Sequence, residues 1–138
     1  SEGALYVLFL VALASHPSAP RLFAGDNFDH ALHPRLAARL TSLVSSGLVA
    51  DGQRQMLLTT HNPLVLDGLD LRDDRVRLFA VERARGQERG AERAQLVEGE
   101  TIVRRVVLSP QLLDEIRGGM SLSRLWIMGR LGGVPREL

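Results

Sequence analysis

Residues 21–34 read RLFAGDNFDHALHP. The stretch opens on an apolar run, Leu22-Phe23-Ala24, and breaks at Gly25. It then passes into Asp26, Asn27 and Asp29, and closes on Leu32-His33-Pro34. An apolar run that stops at a carboxylate is the pattern of a buried strand delivering an acid to a sheet edge. In a parallel sheet, ligands bind outside the carboxyl ends of the strands. A carboxylate there suits a hydrated Mg²⁺, which keeps several waters and takes few protein ligands.

The next strand expected downstream is residues 55–60, QMLLTT, ended by His61-Asn62-Pro63. Between the two runs, residues 35–46 carry Leu36, Leu40, Leu43 and Val44 at helical spacing, with Arg35 and Arg39 off that face. Pro34 suits the first turn of this helix, and Gly47 stands where a C-cap is expected. Strand, helix and strand of this length predict a βαβ unit with parallel strands and a right-handed crossover. That topology sets Asp26 and His61 on one edge of the sheet. An imidazole there can donate to a phosphate oxygen, so the pair fits a nucleoside triphosphate with its metal.

Upstream, residues 5–14 (LYVLFLVALA) are almost continuously apolar. The run is too short for a bilayer, which needs roughly 20 apolar residues. No basic residue precedes it, as a secretory leader would require. A fully buried helix is expected, with Ser1 as N-cap, Glu2 in its first turn, and an end near Ser15 before Pro17 and Pro20. Downstream, residues 63–69 predict a short helix and residues 75–82 (RVRLFAVE) a strand with one partly solvated face. Residues 83–93 are a charged tip without core-forming side chains, and residues 95–97 and 101–107 read as further strand. Ser109-Pro110 starts a helix over 110–117, Ser121 caps a last one around 122–129, and an irregular tail follows. The apolar run at 125–128 reads as a buried helix or as a contact with a missing part.

The bulk numbers agree with a folded domain. The chain has 138 residues, 45% of them hydrophobic, and a net charge of +1, which gives no reason to expect strong nonspecific nucleic-acid binding. All 17 basic residues are Arg, and there is no Cys, which removes disulfides, thiolate zinc sites and cysteine nucleophiles. A cytoplasmic location is expected. The first residue is Ser, so the chain is expected to lie within a longer reading frame or to follow processing.

Several segments together resemble one family. Residues 22–27 resemble a Walker B strand, and Ala31-Leu32-His33-Pro34 the D-loop region of ABC-type ATPases. Thr59-Thr60-His61-Asn62-Pro63 is similar to a switch-histidine loop, and Ser1-Glu2-Gly3 to the signature motif in its SEG form. Order and spacing agree over about residues 1–70. The nearest branch is the prokaryotic AAA/ABC-like ATPases related to the overcoming-lysogenization-defect (OLD) proteins and other phage-defence ATPases. The resemblance implies an α/β fold: part of an ABC-type P-loop NTPase, a parallel sheet with flanking helices and a C-terminal β-hairpin. Residues 1–138 would form its C-terminal lobe, with the signature at 1–3, Walker B and D-loop at 21–34, the switch loop at 59–63, and the hairpin and helices at 75–138.

By the same resemblance, Asp26 would hold Mg²⁺ and His61 would sense the γ-phosphate. Ser1, Glu2 and Gly3 would meet ATP bound by a second subunit, and residues 31–33 would line the subunit interface. The implied protein is an ATP-driven homodimer switch controlling a DNA-directed defence or repair effector, such as a nuclease partner, with no membrane role.

Two departures qualify this. The base expected after Asp26 is Asn27, and an amide cannot accept a proton; Asp29 is the candidate substitute. A P-loop needs G-x-x-x-x-G-K-[ST], and the chain contains no Lys. Hydrolysis is therefore expected only when a P-loop segment completes the site, and the isolated chain is expected to be inactive. The alternatives are a non-catalytic binding or assembly module with a degenerate nucleotide site, and a metal-dependent phosphohydrolase using Asp26, Asp29, His30 and His33. The latter set shares a helical face, but Gly25 and Pro34 argue against a continuous helix there.

Overall fold

The computed structural model describes residues 2–30, 32–83 and 99–132. Ser1, Ala31, residues 84–98 and residues 133–138 lie outside it. So do the expected signature Ser, the first residue of the D-loop segment, nearly all of the charged tip, the strand at 95–97 and most of the tail.

The elements run α1 (Glu2–Ser15), β1 (Leu22–Gly25), α2 (Pro34–Asp51), β2 (Gln55–Leu58), a 3₁₀ segment (Pro63–Gly68), β3 (Leu78–Arg83), β4 (Thr101–Val106), α3 (Pro110–Arg117) and α4 (Leu122–Ile127). β1 and β2 pair in parallel, Leu22 opposite Gln55 through Gly25 opposite Leu58. The parallel pair expected from the sequence is present, and β3 and β4 form an antiparallel hairpin. The chain is thus mixed α/β with a small parallel sheet.

Two apolar clusters organise the molecule. The first joins Leu10, Phe28, Leu32, Ala37, Leu40, Val44 and Val65, with Tyr6, Leu48, Met56 and Leu58 packed against them. The second joins Leu66, Leu112, Leu122, Leu125 and Leu131, flanked by Leu78, Val106 and Trp126. Adjacent residues of the 3₁₀ segment, Val65 and Leu66, therefore serve different cores. The segment lies hard on α2: a Cβ on Gly68 would sit 2.2 Å from the Ala38 carbonyl oxygen.

Several sequence expectations need correction. α2 runs to Asp51 and ends at Gly52 in the left-handed conformation (φ 65°), not at Gly47. Leu48 beyond Gly47 packs on the first core, and that contact outweighs the roughly 1 kcal/mol a mid-helix glycine costs. The face of α2 that buries is Ala37, Leu40, Thr41 and Val44, while Leu36 and Leu43 stay exposed. α1 is not fully buried. Leu10 alone is buried, and Leu5 and Leu8 are 71% and 65% exposed. One face of this helix meets α2 and the sheet, and the other meets nothing among the described residues.

β3 starts at Leu78 rather than residue 75, because Asp70 and Asp73 fold the preceding loop. Each carboxylate accepts the backbone N–H and the guanidinium of the arginine two residues on, Arg72 and Arg75. The Arg75 hydrogen bonds hold the Asp73 carboxyl at about 2, below its ordinary 3.8. The last helix stops at Ile127, and Ile127 and Met128 are exposed rather than buried. Ser109 and Ser121 cap α3 and α4 as expected.

Candidate functional site at the end of the parallel strands

Because β1 and β2 are parallel, their carboxyl ends open on one edge. Gly25 ends β1 where a side chain would not fit easily: a Cβ there would stand 3.0 Å from Leu58 Cδ2, 3.7 Å from Phe28 Cβ and 3.8 Å from the Tyr6 hydroxyl. The chain then turns back over the sheet. Thr59 N–H donates to the Gly25 carbonyl (3.0 Å) and Phe28 N–H to the Thr59 carbonyl (3.2 Å), so pairing continues beyond the strands themselves. Phe28 is driven into the first core and anchors the turn from below.

Two consecutive threonines fasten this turn. The Thr59 hydroxyl accepts the Asn27 N–H at 2.9 Å and donates to Asp26 Oδ1. The Thr60 hydroxyl accepts the Asn62 N–H at 3.0 Å and donates to Asp29 Oδ1 at 2.6 Å. Each hydroxyl thus spends its proton on a carboxylate and its lone pair on a backbone amide, which satisfies both sides of the contact. Asn27 and His61 are joined directly, His61 Nδ1 lying 3.2 Å from Asn27 Oδ1. Asn27 is the one non-glycine residue with positive φ (45°) among the described residues, a conformation that asparagine adopts more readily than most.

The two carboxylates differ in what they can do. Asp26 is exposed at the sheet edge with Thr59 on one oxygen. One such carboxylate, with water and phosphate oxygens completing the shell, fits a Mg²⁺ ion, and Asp26 would be the residue holding it. Asp29 is only 6% exposed, and Thr60 occupies one of its oxygens. It is placed to tie the β1 turn to the β2 turn. Burial, then the charges of Asp29 and Asp26, raise the pKa of the Tyr6 phenol above 10.0.

Neighbouring residues of the segment have structural duties. His33 caps α2, its Nδ1 accepting the Arg35 N–H at 3.3 Å. Asn62 caps the 3₁₀ segment, its side-chain oxygen accepting the Leu64 N–H at 3.1 Å. Among the described residues no group of three or more His, Asp or Glu is arranged to hold a metal ion, so Asp26, Asp29, His30 and His33 do not form a joint metal centre. Glu2 and Gly3 open α1.

Sequence reading brought Asp26, Asn27, Asp29 and His61 forward, and the structure gathers all four at one edge. It overlooked the hydroxyls of Thr59 and Thr60 and the phenol of Tyr6. The only signal for the threonines was two hydroxyls at the end of a strand facing a run of acids.

This edge falls inside a segment that is similar to a known family. Residues 1–67 match an AAA-domain family. Its description is "AAA domain, putative AbiEii toxin, Type IV TA system". The match supports an AAA, P-loop ATPase type of domain over the stretch from α1 to the 3₁₀ segment, which holds every residue of the edge just described. Use of a nucleotide with Mg²⁺ goes with AAA ATPases in general. No curated protein and no solved structure matches the chain. Among the described residues no helix is long and apolar enough to cross a membrane.

Proposed function

We propose that this chain is the C-terminal lobe of an ABC-type ATPase resembling the OLD-like group, and that it acts as a nucleotide-gated dimer switch for a DNA-directed effector. The observation that carries the reading is the clustering of Asp26, Asn27 and His61 at the carboxyl edge of the parallel strands, fastened by Thr59. In this reading Asp26 holds a hydrated Mg²⁺, and the ion supplies charge neutralisation of the phosphates. Thr59 keeps the Asp26 carboxylate turned to the edge. His61 donates a hydrogen bond to the terminal phosphate. The signature and D-loop segments would meet the second protomer. The phosphate cradle comes from a P-loop segment, which this sequence does not contain.

The test is reconstitution with a P-loop-bearing polypeptide of the same protein. ATP-dependent dimerisation, lost in Asp26→Ala and His61→Ala, is the expected result. A complex that neither binds ATP nor dimerises overturns the proposal. The chain alone is expected not to bind ATP tightly, and micromolar affinity in calorimetry would contradict that.

A second reading is favoured by the environment of Asp29. Its carboxylate is buried and engaged by Thr60, and Asn27 has no basic oxygen to receive a proton. The site would then bind nucleotide without hydrolysing it, as a binding or assembly module. Dimerisation with ATP but no phosphate release above background distinguishes it from an active ATPase.

A further inference from the structure

Asn27 is held at every backbone hydrogen-bonding group. Its N–H donates to the Thr59 hydroxyl at 2.9 Å, and its carbonyl accepts the His30 N–H at 2.9 Å. Its backbone sits in the left-handed region at φ 45°. Its side-chain amide faces the ring, with Oδ1 at 3.2 Å from His61 Nδ1.

An amide is chemically two-sided. Its oxygen only accepts, and its NH₂ only donates. With Oδ1 turned to the ring, Nδ1 must carry the imidazole proton, and the outward Nε2 of a neutral His61 is left as an acceptor. With the amide reversed, Nδ1 accepts from the NH₂, the proton sits on Nε2, and the ring presents a donor outward. The second ring nitrogen of a histidine is governed by whatever bonds the first.

We infer that Asn27 is the positioning residue for His61, setting through its amide orientation which imidazole tautomer the site presents. This rests on the proposed nucleotide reading for its use: a phosphate oxygen needs a donor, so a phosphate at the edge is met only by the reversed amide or by the imidazolium. A carboxylate at position 27 accepts only, so it holds Nδ1 protonated and offers no reversed state. With Oδ1 toward the ring, as the structure has it, the bond favours Nδ1–H, and reversal of the amide is what a bound phosphate would have to drive.

The test reads the tautomer itself. The intact chain, labelled with ¹⁵N-histidine, is examined by long-range ¹H–¹⁵N correlation at a pH where imidazole is neutral, with His61 assigned by its loss in His61→Gln. The wild type is expected to show the proton mainly on Nδ1. Asn27→Asp keeps it there. Asn27→Gly removes the amide without straining a backbone at positive φ, and should return His61 to the ordinary Nε2–H preference. The ratio is expected to change roughly fivefold, the worth of one net hydrogen bond. An unchanged ratio in Asn27→Gly overturns the inference. That outcome leaves the nucleotide reading to stand or fall on dimerisation, so the two failures are separable.

Discussion

Tyr6 is the chain's single tyrosine, and its ionisation feels the acids at the sheet edge. Burial and then the charges of Asp29 and Asp26 raise its pKa above 10.0, so an ultraviolet titration should show phenol ionisation displaced upward. The folded chain holds the proton more tightly than the unfolded one, so stability is level below 10.0 and falls as pH rises through the folded value. Asp29→Asn removes one of the charges and should move the midpoint back toward 10.0, though not fully, because burial remains the larger cause. A midpoint unchanged in Asp29→Asn would mean that the phenol does not feel that carboxylate. At this scale the sequence was informative about charges and silent about hydroxyls. Asp26 and Asp29 stand out because acids break an apolar run. Thr59 and Thr60 read as ordinary strand residues, since threonine favours strands for its branching alone. Only the register of β1 on β2 shows that each hydroxyl meets an acid.

At the level of elements, the tightest approach is that of the 3₁₀ segment to α2. A Cβ on Gly68 would lie 2.2 Å from Ala38 O, 2.9 Å from Thr41 Cβ and 3.0 Å from Ser42 N. Most of these are backbone or near-backbone atoms of a helix and cannot swing aside. Gly68→Ala is therefore expected to cost at least the 1–3 kcal/mol usual for overpacking, about that much or more, measured as a lowered denaturation midpoint. Gly47→Ala is the control: no atom lies within 4 Å of its would-be Cβ, and removing a mid-helix glycine should stabilise α2 by up to about 1 kcal/mol. The pair also shows why the ends of α2 were hard to read. Both Gly47 and Gly52 follow apolar helical turns, and only the packing of Leu48 on the first core selects the later stop. The start of β3 was masked differently. Residues 75–77 alternate polar and apolar like a strand, yet Asp73 captures Arg75 and bends them into a turn.

For the whole molecule, the division into two cores makes a sharp statement about cooperativity. Tyr6 packs against the first core and Trp126, the chain's single tryptophan, against the second. Val65 and Leu66 belong to one rigid turn, so neither core can loosen without exposing a residue that is covalently next to the other. Denaturation followed by Tyr6 absorbance and by Trp126 fluorescence should give coincident midpoints, as two-state unfolding requires. Separate transitions would show that the second core folds independently. The α/β class and the parallel pair were legible from the sequence, because strand, helix and strand leave few other arrangements. The two-core plan was not, because a six-residue segment gives no periodicity to reveal that its neighbouring side chains face opposite ways.

The same 3₁₀ segment has a mechanical meaning. Asn62, next to His61, caps its first turn, and Asp67 near its far end accepts both the backbone N–H and the hydroxyl of Ser123, at 2.8 and 2.7 Å, at the start of α4. Between those two grips the chain has no slack, since Gly68 is pressed on α2 and Val65 and Leu66 are each sunk in a core. The segment is a strut with one end at the sheet edge and the other on the C-terminal helices. Under the proposed nucleotide reading, a ligand that displaced His61 would act on the end of the segment capped by Asn62, and Ser123 is the contact at its other end.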